Sequence, residues 1–227
     1  MLSRLTIAGL LVSSSLALRA GEVLDAVVGT VNGHVVLQSD WDDEVRYECF
    51  MSGHALQSVM PQDRKASLDR LIDQELLREQ MSSADFKFAD AGEIEKQVEG
   101  LKQDYSRGHN GQTWSAALSD YHITDKELKA HVALELNQLR LVDARLRPAI
   151  QVDTVAVETY YRQEVLPKLA GAGGPPLTLA QAAPEIRELL LQQKMNELLA
   201  SWLETLRGQA QIHLFVPIPT APPVQGQ

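Results

Sequence analysis

The chain has 227 residues, of which 44% are hydrophobic, 22% are charged and 5% are aromatic. This composition is typical of soluble globular proteins and excludes collagen-like, disordered and multi-span membrane proteins. The 30 acidic residues outnumber the 21 basic ones, which gives a formal charge of -9, and the sequence contains no basic run. Both features argue against nucleic-acid binding.

The N-terminus has the parts of a secretory signal peptide. Arg4 supplies a positive charge, residues 5–18 form an apolar stretch, and small residues follow near Ala20. The stretch is shorter than the roughly 20 apolar residues that cross a bilayer, so we predict a cleaved signal over residues 1–20 rather than a membrane span. Removal of Arg4 and Arg19 leaves a mature chain of charge -11.

The first mature element is predicted to be a β-hairpin over Val27–Leu37. Two β-rich runs flank Asn32-Gly33, the dipeptide best suited to a type I′ turn. Ser39 and Asp40 follow directly, and acidic residues favour the first turn of a helix. We therefore predict a helix start there rather than a calcium loop, because the distant glutamate of such a loop is missing.

Apolar residues at helical spacing predict several helices in the middle of the chain. Pro61 opens one, residues 90–105 form another, and a short aromatic helix spans 113–121. Thr124 and Glu127 form a capping box before a long helix that Pro148 stops. Cys49 has no basic residue directly beside it, so we interpret it as a small buried hydrophobe rather than a reactive thiol.

The last third of the chain is predicted to contain a linker and a closing helix. Asp153 caps a further helix, and the glycines and prolines of residues 166–177 are typical of a linker. Residues 178–216 contain a strongly amphipathic helix with Met195 and Trp202 on its apolar stripe, then a short strand, and residues 217–227 are a Pro-rich tail.

We predict that the C-terminal strand pairs with the hairpin, because isolated hairpins are poorly stable. The fold class is thus mostly α (α+β), a multi-helix module with a small antiparallel sheet.

No arrangement of residues in the sequence predicts catalysis. The sequence lacks a Gly-x-Ser-x-Gly elbow, a His-Glu-x-x-His motif and a nucleotide-binding glycine loop. No two of the six histidines are four residues apart on a predicted helix, and the single cysteine excludes a multi-thiolate zinc site. We therefore predict no catalytic residues, no cofactor and no metal.

Several segments resemble one protein family. The hairpin VVGTVNGHVVLQSDWD (27–42) closely resembles the start of SurA-type periplasmic chaperones and related parvulin prolyl isomerases. RLIDQELLREQ (70–80) is similar to the helix that follows in that family, and IQVDTVAVETYY (150–161) to the segment that leads into the isomerase domain. Residues 186–212 resemble the family's closing helix and strand. Residues 21–216 therefore resemble the N-terminal chaperone domain of the family.

The sequence departs from the family in one respect. Only ten residues separate Leu166 from Leu177, the place where the isomerase members carry a parvulin domain. A domain needs at least about 50 residues, so the parvulin domain is predicted to be absent. The resemblance implies a periplasmic, ATP-independent chaperone for unfolded or extended polypeptides, with outer-membrane protein precursors as the expected clients. Prolyl isomerisation and a role as an assembly subunit with one fixed partner are the alternatives.

Client binding by such a module requires exposed, adaptable apolar side chains. The sequence offers methionines and aromatic residues in or beside the first helices, and the candidates for peptide binding are Met51, Met60, Met81, Trp114 and Tyr121. Ordinary core packing is the alternative role for each of them.

Overall fold

The computed structural model of the protein describes residues 25–82, 85–108, 113–172 and 177–215. These ranges are mostly helical and contain a small antiparallel sheet, which confirms the predicted fold class. The predicted signal peptide and the Pro-rich tail lie outside the described residues. Within those ranges, no helix is both long enough and apolar enough to cross a membrane.

The sheet joins the two ends of the described chain. Strand β1 (Val27–Val31) pairs with β2 (His34–Leu37) on one side and with β3 (Ile212–Leu214) on the other, both antiparallel. Asn32 and Gly33 have φ of 49° and 86°, as the predicted turn requires. Asn32 N donates to Gln211 O at 2.9 Å, and Gln211 N donates to Asn32 Oδ1 at 2.8 Å. The predicted pairing of the terminal strand with the hairpin is confirmed.

Two helices pack on this sheet. Helix α1 (Gln38–Ser52) begins where Asp40 accepts a hydrogen bond from Leu37 N at 2.9 Å, and α2 (Pro61–Gln80) begins at the predicted proline. Trp41 Nε1 donates to the backbone oxygen of Arg64 at 2.7 Å and so fixes α1 against the start of α2. The buried apolar residues between sheet, α1 and α2 form one core, and Cys49 belongs to it as predicted: Val28, Val31, Val36, Trp41, Val45, Cys49, Leu68, Ile72 and Leu76.

Three further helices form a second core against α1. They are α3 (Ala91–Gly108), α4 (Trp114–Asp120) and α5 (Asp125–Leu146). The predicted capping box at α5 is present, because Thr124 accepts from Glu127 N and Glu127 accepts from Thr124 N. The buried side chains of this core come from all four helices and from the turn before α5: Tyr47, Val98, Leu118, Ile123, Leu128 and Val132.

The region predicted as a linker is partly helical. Helix α6 (Thr154–Tyr160), capped by Asp153, continues through a π-helical turn (Tyr161–Val165) into α7 (Leu166–Ala172). The linker prediction is therefore wrong for the start of 166–177. Helix α7 includes Gly171 and is described as far as Ala172, and residues 173–176 lie outside the described chain.

The closing helix α8 (Leu179–Gln209) packs against several elements in succession. It contacts the π-helical turn and α6 near its start, α5 in its middle and α2 near its end. At 31 residues it is about 46 Å long, so no single partner covers its apolar stripe. Met195 is buried, whereas Leu198 is exposed and Trp202 is half-buried. Pro184 lies inside the helix, near its N-terminal end.

Candidate functional site

A cavity of about 720 Å³ opens between the C-terminal end of α1, α3 and α4. Cavities of this size are typical of sites that bind a small ligand or a few side chains. Its apolar lining comes from α1, from the segment after α1, from α3 and from the region of α4: Phe50, Met51, Leu56, Leu101, Tyr105, Trp114 and Tyr121. We call this cavity the aromatic groove.

Aromatic rings in edge-to-face contact form the wall of the aromatic groove. The Phe50 ring lies 5.5 Å from the Trp114 ring and 5.6 Å from the Tyr121 ring, with interplanar angles of 74° and 73°. Tyr105 and Trp114 lie 5.7 Å apart at 76°. Such pairs are worth about 0.5–1.5 kcal/mol beyond area burial, so the rings hold one another in place and keep the groove preformed.

The polar part of the groove is acidic. Asp104 and Asp120 belong to the lining, and none of the described lining residues is Lys or Arg. Asp104 pairs with Arg107 one turn further along α3. Trp114 Nε1 is buried and, within the described chain, donates no hydrogen bond. The groove thus combines an aromatic wall with carboxylates in its lining.

The residues predicted from sequence divide into two groups. Met51, Trp114 and Tyr121 line the aromatic groove together, and Met51 is 44% exposed. Met60, 49% exposed, caps the N-terminus of α2 and is not among the groove residues. Met81, at the C-terminus of α2, is only 3% exposed. Met81 therefore packs in the core, which was the alternative role considered for it.

Sequence reasoning missed other residues of the groove. Phe50 adjoins Met51, and Tyr105 lies in the last turns of α3 before a glycine-containing segment. Both residues lie near the end of a helix, and Trp114 begins the short helix α4 that follows Tyr105. This grouping of aromatic residues at helix ends was the sequence signal that could have identified them. Their meeting depends on the packing of α3 and α4, which is a tertiary contact that helical periodicity does not encode.

A second notable site is a polar cluster between α1, α2 and α5. We call it the Glu44 cluster, and it contains Glu44, Tyr47, Gln74, His131 and Glu135. Tyr47 and His131 stack with ring centroids 4.1 Å apart and an interplanar angle of 5°. The Tyr47 hydroxyl donates to Glu135 Oε1 at 3.0 Å, and Gln74 Nε2 donates to Glu44 Oε1 at 3.1 Å.

Burial shifts the ionisation of the Glu44 cluster. Burial raises the pKa of Glu44 to about 7, with smaller contributions from Glu48 and Glu135, while Gln74 acts in the opposite direction. Burial also raises the pKa of Glu135 and lowers the pKa of His131. Each shift favours the neutral form, as expected for ionisable groups removed from water.

The described residues contain no group of three or more His, Cys, Asp or Glu side chains arranged to hold a metal ion. Cys49 is buried, and burial raises the pKa of its thiol, which lowers its reactivity.

No protein-family model matches the chain, and no curated protein matches it either.

Proposed function

We propose that the protein is an ATP-independent chaperone of the periplasm. In this proposal it binds unfolded or extended polypeptides, outer-membrane protein precursors among them, and has no isomerase activity. The observation that carries the proposal is the aromatic groove, a cavity of about 720 Å³ with a preformed aromatic wall on a helical module. The signal-like N-terminus and the resemblance of residues 27–42 and 186–212 to SurA-type chaperones support the location and the client class.

The groove suits reversible binding of varied side chains. Aromatic rings offer large contact areas with little conformational entropy to lose, and the flexible Met51 side chain adapts to different shapes. The sequence has no nucleotide-binding motif, so release of a client in this proposal follows from weak affinity rather than from hydrolysis.

Charge favours a particular kind of client segment. The groove lining contains Asp120 and Asp104, of which Asp104 pairs with Arg107, and the whole chain has a formal charge of -9. We expect the occupant to be an extended segment in which apolar side chains alternate with or adjoin Lys or Arg. An acidic segment of equal apolarity would be repelled, and this difference should shrink at high salt.

A light-scattering assay tests chaperone activity directly. An unfolded outer-membrane protein is diluted from denaturant with and without the purified mature chain, in the absence of ATP. Suppression of scattering near a stoichiometric ratio supports the proposal. An absence of suppression contradicts it, and co-purification of one stoichiometric partner would then favour a fixed-partner subunit. Catalysis of prolyl isomerisation by the same preparation would contradict the absence of enzyme activity.

A matched pair of substitutions tests whether the aromatic groove is the binding site. Met51→Lys places a charge in the groove, and Met60→Lys makes the same change at an equally exposed methionine outside it. We expect Met51→Lys to raise the Kd of a labelled basic-apolar peptide about tenfold, equivalent to about 1.4 kcal/mol. Met60→Lys should change it less than twofold. Fluorescence anisotropy measures both, and equal effects of the two substitutions would exclude the groove.

A further inference from the structure

One oxygen of a buried carboxyl group has no hydrogen-bond partner. Glu44 is 3% exposed, and its Oε1 accepts from Gln74, but within the described residues its Oε2 accepts no hydrogen bond. His131 Nδ1 lies 3.8 Å from Oε2, which is too far for a hydrogen bond. An ionised Glu44 would therefore be a buried charge without compensation, whereas a protonated Glu44 would avoid most of that cost.

The surrounding charges compensate Glu44 only in part: Arg70 lowers its pKa, but Arg70 and the other nearby arginines pair with other carboxylates. Arg70 pairs with Glu48, and Arg78 pairs with Glu75. Arg46, on the His131 side, pairs with Asp43. The titratable and charged groups that face Glu44 or share its crevice come from β2, α1, α2 and α5: His34, Asp40, Asp43, Tyr47, Glu48, Arg70, Glu75, Arg78, His131 and Glu135.

Glu44 lies at the contact between α1 and α5. On α1, Tyr47 is one turn beyond Glu44, and it stacks on His131 and donates to Glu135, both on α5. Burial lowers the pKa of His131 and so favours its neutral form. A charge on Glu44 would therefore be placed beside the Tyr47–His131 stack, in the middle of this contact.

We propose that this contact is a proton-controlled latch, closed while Glu44 carries a proton and opened when Glu44 loses it. In an open state, water reaches the carboxyl group, which then ionises with its ordinary pKa near 4.5 rather than about 7. The equilibrium constant for opening therefore rises with pH by about tenfold per unit between these two values and becomes constant above them.

Two neighbours change the pH dependence in opposite directions. The pKa of Glu135 is raised by burial, so its loss of a proton also favours opening at higher pH. The pKa of His131 is lowered by burial, so its uptake of a proton favours opening as the pH falls. The latch is consequently tightest in mildly acidic solution and opens toward neutral pH.

Amide hydrogen exchange on the full chain measures the opening. Protection of the amides in α1 and α5 is followed from pH 5 to pH 8 and corrected for the intrinsic chemical rate of exchange. Glu44→Gln keeps the shape of the side chain and cannot ionise. Glu99→Gln removes an exposed carboxylate from α3 and is the matched control.

The wild-type chain should lose corrected protection by more than about tenfold between pH 5 and pH 7, and Glu99→Gln should behave in the same way. Glu44→Gln should change by less than about threefold over that range. Equal slopes for the wild type and Glu44→Gln would overturn the latch. The result does not depend on whether the protein binds polypeptides.

A titration of the wild-type chain keeps the proposal testable if Glu44→Gln does not fold. With ¹³C-labelled glutamate, one carboxyl carbon should titrate near pH 7, and amide resonances of α5 should follow the same curve. Titration of every glutamate below about pH 5.5 would overturn the proposal, because Glu44 would then lack the raised pKa that a buried carboxyl group without compensation requires.

Discussion

Arg207 of α8 and Asp73 of α2 are 134 residues apart in sequence, and Arg207 Nε donates to Asp73 Oδ1 at 2.6 Å. A second nitrogen of the same guanidinium group donates to the backbone oxygen of Asp69 at 2.6 Å. The hydrogen bond with Asp73 is the main cause that raises the pKa of Arg207. We call these two hydrogen bonds the Arg207 fork. The fork joins the end of the closing helix to the N-terminal half of the molecule, directly before the chain enters β3.

Loss of the fork should therefore destabilise the fold. Arg207→Ala removes two charge-assisted hydrogen bonds from a partly buried position, and we expect the free energy of unfolding to fall by about 1–3 kcal/mol. Arg162→Ala is the control, because Arg162 pairs with Glu158 in an exposed i,i+4 contact and should cost less than about 0.5 kcal/mol. Urea unfolding measures both variants. Equal losses would mean that the fork adds nothing to an ordinary surface pair.

Gly29 allows β3 to approach β1. A Cβ atom at this position would lie 2.7 Å from the backbone oxygen of His213 and 2.8 Å from a methyl carbon of Leu214. Gly29→Ala should therefore lower the free energy of unfolding by about 1–3 kcal/mol, since the backbone oxygen cannot move without displacing β3. Gly100→Ala in α3 meets nothing within 4 Å and should stabilise by up to about 1 kcal/mol. Thermal unfolding distinguishes them, and a neutral Gly29→Ala would contradict the close approach.

Local signals predicted the elements of the fold well. Asn32-Gly33 requires a particular turn, and the Thr124–Glu127 box, Asp153 and Pro61 mark helix starts through contacts within a few residues. These signals act over one turn of chain, so the sequence alone contains them. The pairing of β3 with β1 was predictable for a different reason, because a lone hairpin needs another strand.

The aromatic groove and the Glu44 cluster were less accessible to sequence reasoning. Met51 and Trp114 were predicted as binding residues, but Phe50 and Tyr105, which contact Trp114 or adjoin Met51, were not. Glu44 resembled the other acidic residues in the first turns of α1, and its burial depends on the position of α5. Both sites arise where helices distant in sequence meet, and helical periodicity specifies a buried face without specifying its partner.

Trp202 illustrates the same distinction in the closing helix. Its ring is half-buried, packs beside Met195 and lies under Arg145, whose guanidinium carbon is 4.6 Å from the ring centroid. Trp202→Ala should lower the free energy of unfolding by about 1–3 kcal/mol, less than the roughly 3–5 kcal/mol of a fully buried tryptophan. Leu198→Ala, on the exposed part of the helix, should cost less than about 1 kcal/mol. Guanidinium unfolding measures both, and a loss above 4 kcal/mol for Trp202→Ala would require a fully buried ring.

The hydroxyl of Tyr47 should contribute more to stability at high pH than at low pH. It donates a hydrogen bond to Glu135. Burial raises the pKa of Glu135 and this hydrogen bond lowers it, so the bond favours the ionised carboxylate. Tyr47→Phe keeps the ring that stacks on His131 and removes only the donor. We expect a loss of about 1 kcal/mol for a bond to the neutral acid and about 2 kcal/mol for a bond to the carboxylate, so the loss should be larger at pH 8 than at pH 5.

Urea unfolding of the wild type and Tyr47→Phe at the two pH values gives this difference directly. Tyr160→Phe is a suitable control, because Tyr160 packs in a separate core beside Val157 and Ile186, far along the chain from Glu135. Its cost should be the same at pH 5 and pH 8. A hydrogen bond to a carboxyl group that stays neutral would not strengthen as the pH rises. A loss for Tyr47→Phe that is equal at the two pH values, or larger at pH 5, would therefore contradict the prediction that Tyr47 donates to an ionised Glu135.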